Sequence, residues 1–121
     1  MLVIDAANVI GSRPTGWWRD RPGAARTFVA RVRAAVEDGA LQGPVAVVLE
    51  GAATRGVAEG TEGGVEVVHA PSHGDDTLVE VAAASSPPVV LVSADKELGR
   101  RVRAVGAEVV GPSWLLDRLP P

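Results

Sequence analysis

The sequence contains no cysteine at all. That excludes a disulfide framework, thiolate metal sites and a cysteine nucleophile together. No apolar run approaches the ~20 residues of a membrane-spanning helix. No basic segment followed by an apolar one marks an export signal, because Met1-Leu2-Val3-Ile4-Asp5 reads as a buried strand. A cytoplasmic protein without a membrane partner is the expectation. Neither the Gly-x-Gly-x-x-Gly dinucleotide fingerprint nor the P-loop pattern occurs. Ser93-Ala94-Asp95-Lys96 fits the Ser-x-x-Lys pattern of serine acylases, but the companion motifs are missing.

Hydrophobic residues make up 46% of the 121 positions, enough for one domain over residues 1–121 with a real core. Net charge is −3, and its distribution is uneven. Residues 13–33 hold six arginines and one acid, a local +5. Residues 34–95 hold one arginine and ten acids, a local −9, and residues 96–103 four bases and one acid, a local +3. Such asymmetry suits a basic rim beside an acidic pocket; arginines scattered over solvated helix faces are the plainer explanation.

Short continuous apolar runs at Leu2–Ile4, Val45–Leu49, Val65–His69, Val89–Val92 and Glu108–Val110 predict five strands buried on both faces. Helical spacing predicts helices over about 21–36, from Gly74 to the Pro87-Pro88 pair, from Asp95 to Gly106, and a last turn over 114–119. Residues 5–20 read as strand end and loop, with no helix beginning beside Asp5. Residues 51–64, rich in Gly, Ala, Thr and Glu without periodicity, read as a mobile loop. Alternation of strand and helix implies an α/β fold with a parallel sheet covered by helices on both faces.

In such sheets, ligands bind beyond the carboxyl ends of the strands. The polar residues delivered there are Asp5 and Asn8, then Glu50, then His69, His73, Asp75 and Asp76, then Ser93, Asp95 and Lys96. Several carboxylates at one edge repel unless a cation intervenes, and oxygen ligands without sulfur favour Mg²⁺ or Mn²⁺. Each aspartate also has a plain structural explanation. Asp75 and Asp95 stand where helix N-caps belong, and Asp76 suits a first helical turn. Asp5 has no such explanation, and a carboxylate ending a buried strand needs a partner. The histidines fit a strand-end or substrate-contact role better than a zinc site. Trp17-Trp18 suits equally a base-stacking platform or a cap on the core.

Val3-Ile4-Asp5-Ala6-Ala7-Asn8, Gly74-Asp75-Asp76 and Ser93-Ala94-Asp95-Lys96-Glu97-Leu98 together resemble the NYN domain, in its YacP-like bacterial branch, within the PIN-like nuclease superfamily. The resemblance covers nearly the whole chain. It implies a three-layer Rossmann-like fold, a five-stranded parallel sheet of order 3-2-1-4-5, and hydrolysis of RNA at an aspartate cluster. By position it makes Asp5, Asp75 or Asp76, and Asp95 the Mg²⁺ or Mn²⁺ ligands, within the one metal site that Asp5, Asp75, Asp76 and Asp95 suggest as residues. It has Asn8 orient a ligand or the scissile phosphate, and Ser93 brace the fourth strand's end. A homodimer is a further expectation from the superfamily. Arg13, Arg19, Arg21, Lys96 and Arg100 follow the carboxyl ends of two strands and would hold the RNA backbone. The rivals are a non-catalytic RNA-binding or ribosome-associated module with the same fold, and a metal-dependent small-molecule phosphatase.

Overall fold

A computed structural model describes residues 1–121. The strands are β1 (Leu2–Asp5), β2 (Val45–Leu49), β3 (Gly60–Glu62), β4 (Val65–His69), β5 (Val90–Val92) and β6 (Glu108–Val110). The helices are α1 (Ala6–Gly11), α2 (Arg21–Glu37), α3 (Gly74–Ala84), α4 (Lys96–Ala104) and α5 (Pro112–Leu116), with short 3₁₀ turns at Trp17–Arg19 and Gly51–Arg55. They build one sheet of order β3-β4-β2-β1-β5-β6. Neighbouring pairs run parallel except β3 and β4, which are antiparallel.

The expectation of five parallel strands is thus corrected to six strands in a mixed sheet. The sixth comes from the segment expected to be loop. Gly63 and Gly64 both take positive φ, 61° and 80°. That is the two-residue turn that folds a tight hairpin, and it pairs Glu62 with Val65 and Thr61 with Glu66. A three-residue edge strand exposed along its whole length shows no hydrophobic alternation, so periodicity had nothing to detect.

The side-chain period of two divides the strands between two cores. Leu2 and Ile4 of β1, and Val45, Val47 and Leu49 of β2, pack in the core shared with α1, α2 and α5. Val3, Val48 and Leu91 pack in the core shared with α3 and α4. On α2 the stripe Ala25, Phe28, Val29, Val32 and Ala35 is buried. Each large apolar side chain buried in this way contributes about 1.5–3 kcal/mol. The same parity aims Asp5, continuing from Val3, and Glu50, continuing from Val48, at the α3/α4 layer. His69 continues Val65 and Val67, which face α2.

Candidate active site

A helix does begin beside Asp5, contrary to the loop expected from the sequence. Asp5 is the N-cap of α1, and its Oδ1 accepts from the Asn8 backbone N–H at 3.3 Å. Capping therefore accounts for part of Asp5. It does not account for the other carboxylate oxygen, which accepts from Ser93 Oγ at 2.9 Å, across 88 residues of chain. Ser93 Oγ in turn accepts from the Asp95 N–H at 3.1 Å. The Asn8 side chain crosses the same gap in the other direction, its Oδ1 accepting from the Ala94 N–H at 2.8 Å. The chain leaving β5 is thus tied to the end of β1 and the start of α1 by two hydrogen bonds, from the Ser93 hydroxyl to Asp5 and from the Ala94 N–H to the Asn8 side chain.

Asp5 is only 7% exposed. Burial pushes its carboxyl from 3.8 up to about 6, against the pull of the Ser93 and Asn8 hydrogen bonds, and the charges of Glu50 and Asp75 push it further the same way. Glu50, at the same sheet edge, is a residue to which the sequence by itself assigns no role. Its Oε2 accepts from the Gly74 N–H at 3.0 Å, at the start of α3, where the helix dipole favours an anion. A Cβ at position 74 would stand 3.3 Å from Glu50 Oε1, so the absence of a side chain there lets the carboxylate approach. The available signal was position: Glu50 directly follows the second buried strand, at the same sheet edge as Asp5.

The remaining acids divide. Asp75 and Asp76 both lie in the first turn of α3, whose N-cap position is held by His73 without a side-chain bond. Asp75 acts on Asp5 through its charge. Asp76 turns outward and pairs with Arg101 at 2.7 Å. Asp95 is the N-cap of α4, its Oδ1 accepting from the Leu98 N–H at 3.0 Å. No group of three or more His, Asp or Glu side chains is gathered in a metal-holding cluster, so the four aspartates are not brought together around one point. His69 serves the fold. Its Nε2 lies 2.7 Å from the Val57 carbonyl oxygen, and its N–H donates to Glu59 Oε1 at 2.7 Å, fastening the segment before β3 to β4.

Among the expected RNA contacts, Lys96 is exposed and makes no ion pair. Arg13 donates to Ser113 Oγ at 3.3 Å. Arg19 lies over the Trp18 ring at 5.7 Å and Arg21 over the Trp17 ring at 5.2 Å. Arg100 is paired with Glu97 on its own helix. The two tryptophans meet edge to face with centroids 5.9 Å apart, Trp17 half-buried and Trp18 half exposed.

No helix is long and apolar enough to cross a membrane. No family model matches the chain, and no curated protein does. Among solved structures the chain is similar to the crystal structure of Rae1 (YacP) from Bacillus subtilis, in its W164L mutant form. The two superpose with a TM-score of 0.67 at 19% identity, over 96% of this chain and 71% of that one. Likeness at that identity is likeness of fold, and the fold of this chain is YacP-like.

Proposed function

We propose that this chain is a ribonuclease that hydrolyses RNA phosphodiester bonds at the carboxylate pocket around Asp5, with Mg²⁺ or Mn²⁺ as its ion. One observation carries the reading. A carboxyl at the end of a central strand is buried beside two further carboxylates and raised to about 6, and ionisable groups perturbed in this way cluster at functional sites. The NYN-like motifs and the YacP-like fold support the same reading.

The donors suit a hard cation, being oxygens only. Asp5, Glu50 and Asp75, which do not form a gathered metal-holding cluster in this structure, would have to draw together to hold it. Each Asp5 oxygen carries one hydrogen bond and keeps a second lone pair. Asp95 Oδ2 makes no hydrogen bond and adds a further acceptor beside Ser93. Asp76, turned to Arg101, does not fit the set. When bound, such an ion lowers the pKa of a water and neutralises charge on the phosphate. The protein's own part is positional. Ser93 fixes the Asp5 carboxylate, Asn8 fixes the 93–95 segment against α1, and Lys96, Arg13 and Arg21 offer positive charge to the RNA backbone.

A second reading, an RNA-binding module without catalysis, is favoured by the absence of a gathered metal-holding cluster. A labelled single-stranded RNA separates the two. Binding in EDTA should weaken with salt at a slope of about −0.7 per phosphate neutralised, and Mn²⁺ should start cleavage. Asp5→Asn should stop cleavage and leave binding in EDTA intact or stronger. Salt-sensitive binding by the parent without cleavage favours the module. Cleavage by Asp5→Asn at the parent's rate places the chemistry elsewhere.

A further inference from the structure

Beside the carboxylates, between α1, the start of α2 and the turn after β2, lies a cleft of about 310 Å³. Small and apolar side chains wall it: Ala7 and Ile10 from α1, Ala24 from α2, and Ala53 from the 3₁₀ turn, with the Trp17 indole along one side. Its two charged members are Arg21 and Glu50. Glu50 is the residue whose charge acts on Asp5, and Ala6 and Ala7, which follow Asp5 in the chain, also line the cleft. The cleft therefore meets the sheet edge that carries the carboxylates, at Glu50 and at Ala6, the residue after Asp5.

We propose that this cleft is a base-binding slot that receives one unpaired nucleobase of an RNA strand and stacks it on Trp17. The proposal rests on the RNA reading above and goes beyond it by naming what the strand must present.

Three features point to a base. The volume lies at the small end of ligand sites, enough for one base and too little for a paired stem. The wall holds one aromatic side chain among small aliphatic ones, and aromatic rings are what bases of any sequence stack on. The surroundings fit a polyanion. Arg21 lies over the Trp17 ring at 5.2 Å, so a base that stacks there takes the guanidinium's place, and the displaced positive charge is at hand for the base's own phosphate. A second, larger groove of about 570 Å³ shares Ile10, Trp17 and Ala24 with the slot and carries Arg13, Arg26 and Arg31. Trp17 thus separates an apolar slot beside the carboxylates from an arginine-lined groove. A single strand can place a base in the first and its phosphates along the second. A base held in a duplex cannot enter, so the substrate must be single-stranded or bulged at this position.

The test uses short single-stranded RNAs in which an abasic nucleotide is moved along the sequence, so that one base is lost and every phosphate kept. Binding is measured in EDTA at low salt, which separates the slot from the ion and from cleavage. At one position, loss of the base should weaken binding to the parent protein by about 5- to 150-fold, the range for one stacked base. In Trp17→Leu, intact RNA should bind more weakly by a similar factor and the abasic penalty should vanish. Ala53→Leu fills the slot without touching the indole and should do the same. It carries the test if melting curves show Trp17→Leu to be unfolded. If the parent binds RNA but tolerates the abasic nucleotide at every position, or keeps the penalty in both variants, the slot is refuted and the RNA reading stands. If the parent binds no RNA at low salt, both fall.

Discussion

Replacing Asp5 by Asn should change the pH dependence of stability more than stability itself. The carboxyl stands at about 6 in the folded protein against 3.8 ordinarily. Below the ordinary value it is protonated in both states and carries no penalty. As pH rises through about 6 the folded protein must ionise a buried group beside Glu50 and Asp75, and stability is lost. At about 1.36 kcal/mol for each factor of ten, the move from 3.8 to about 6 corresponds to about 3 kcal/mol. That loss develops between roughly pH 4 and pH 7. Asn matches Asp in shape and as an N-cap. Its Oδ1 can still accept from Asn8, and the Ser93 hydroxyl can turn to accept from the new amide. The variant lacks only the ionisation. The assay is urea unfolding of both proteins in EDTA, from pH 4 to pH 7.5. Taking the difference between them cancels every other titrating group. The variant should gain about 3 kcal/mol on the parent across that window, a relative midpoint shift of about 1–3 M urea at ordinary m-values. Parallel pH profiles would refute the claim that burial and its neighbours raise the Asp5 carboxyl.

Glu50→Gln removes a repelling charge and should lower the Asp5 carboxyl, whereas Ser93→Ala removes a stabilising donor and should raise it; carbon NMR of the carboxyl during titration reads both, and shifts in the same direction contradict the geometry. Ser93→Ala should also cost about 1–3 kcal/mol, because the buried Asp5 oxygen and the Asp95 N–H lose their partner. Asp76→Asn should alter stability by less than about 1 kcal/mol, as expected for an exposed ion pair, and leave cleavage unchanged, while Asp75→Asn should stop it; loss of cleavage in Asp76→Asn would put that residue back in the site. Mn²⁺ at a hundredfold excess over Kd should stabilise the parent by about 2.7 kcal/mol and leave Asp5→Asn unmoved; melting curves that ignore the ion in both proteins would remove it from the site.

The sequence by itself determined the scaffold. Short runs of Val, Leu and Ile that alternate with amphipathic helices point to a parallel sheet buried on both faces, and the helical stripe on 21–37 faces that sheet, so five strands and the long helices follow from local pattern. It also placed Asp5, Asn8, Ser93 and Asp95 at one edge, because strand ends are visible as the point where an apolar run stops. Two short elements escaped it. Six residues of α1 span too few turns to show a period, and β3 is exposed along its length. Side-chain parity, counted along β4, could have taken His69 out of the site, since it continues residues that face α2. Only tertiary packing decided the surroundings of the candidate site. Asp75 and Asp76 are neighbours of equal propensity, and only the packing of α3 against α4 brings Arg101 to Asp76 and leaves the charge of Asp75 acting on Asp5. The raised Asp5 carboxyl has no local cause. It arises because elements far apart in the chain bury the carboxylate, and the charges of Glu50 and Asp75 on other elements push the same way, against the hydrogen bond that Ser93 donates from 88 residues away. Desolvation and charge repulsion depend on distance through space, which a linear order of residues does not contain.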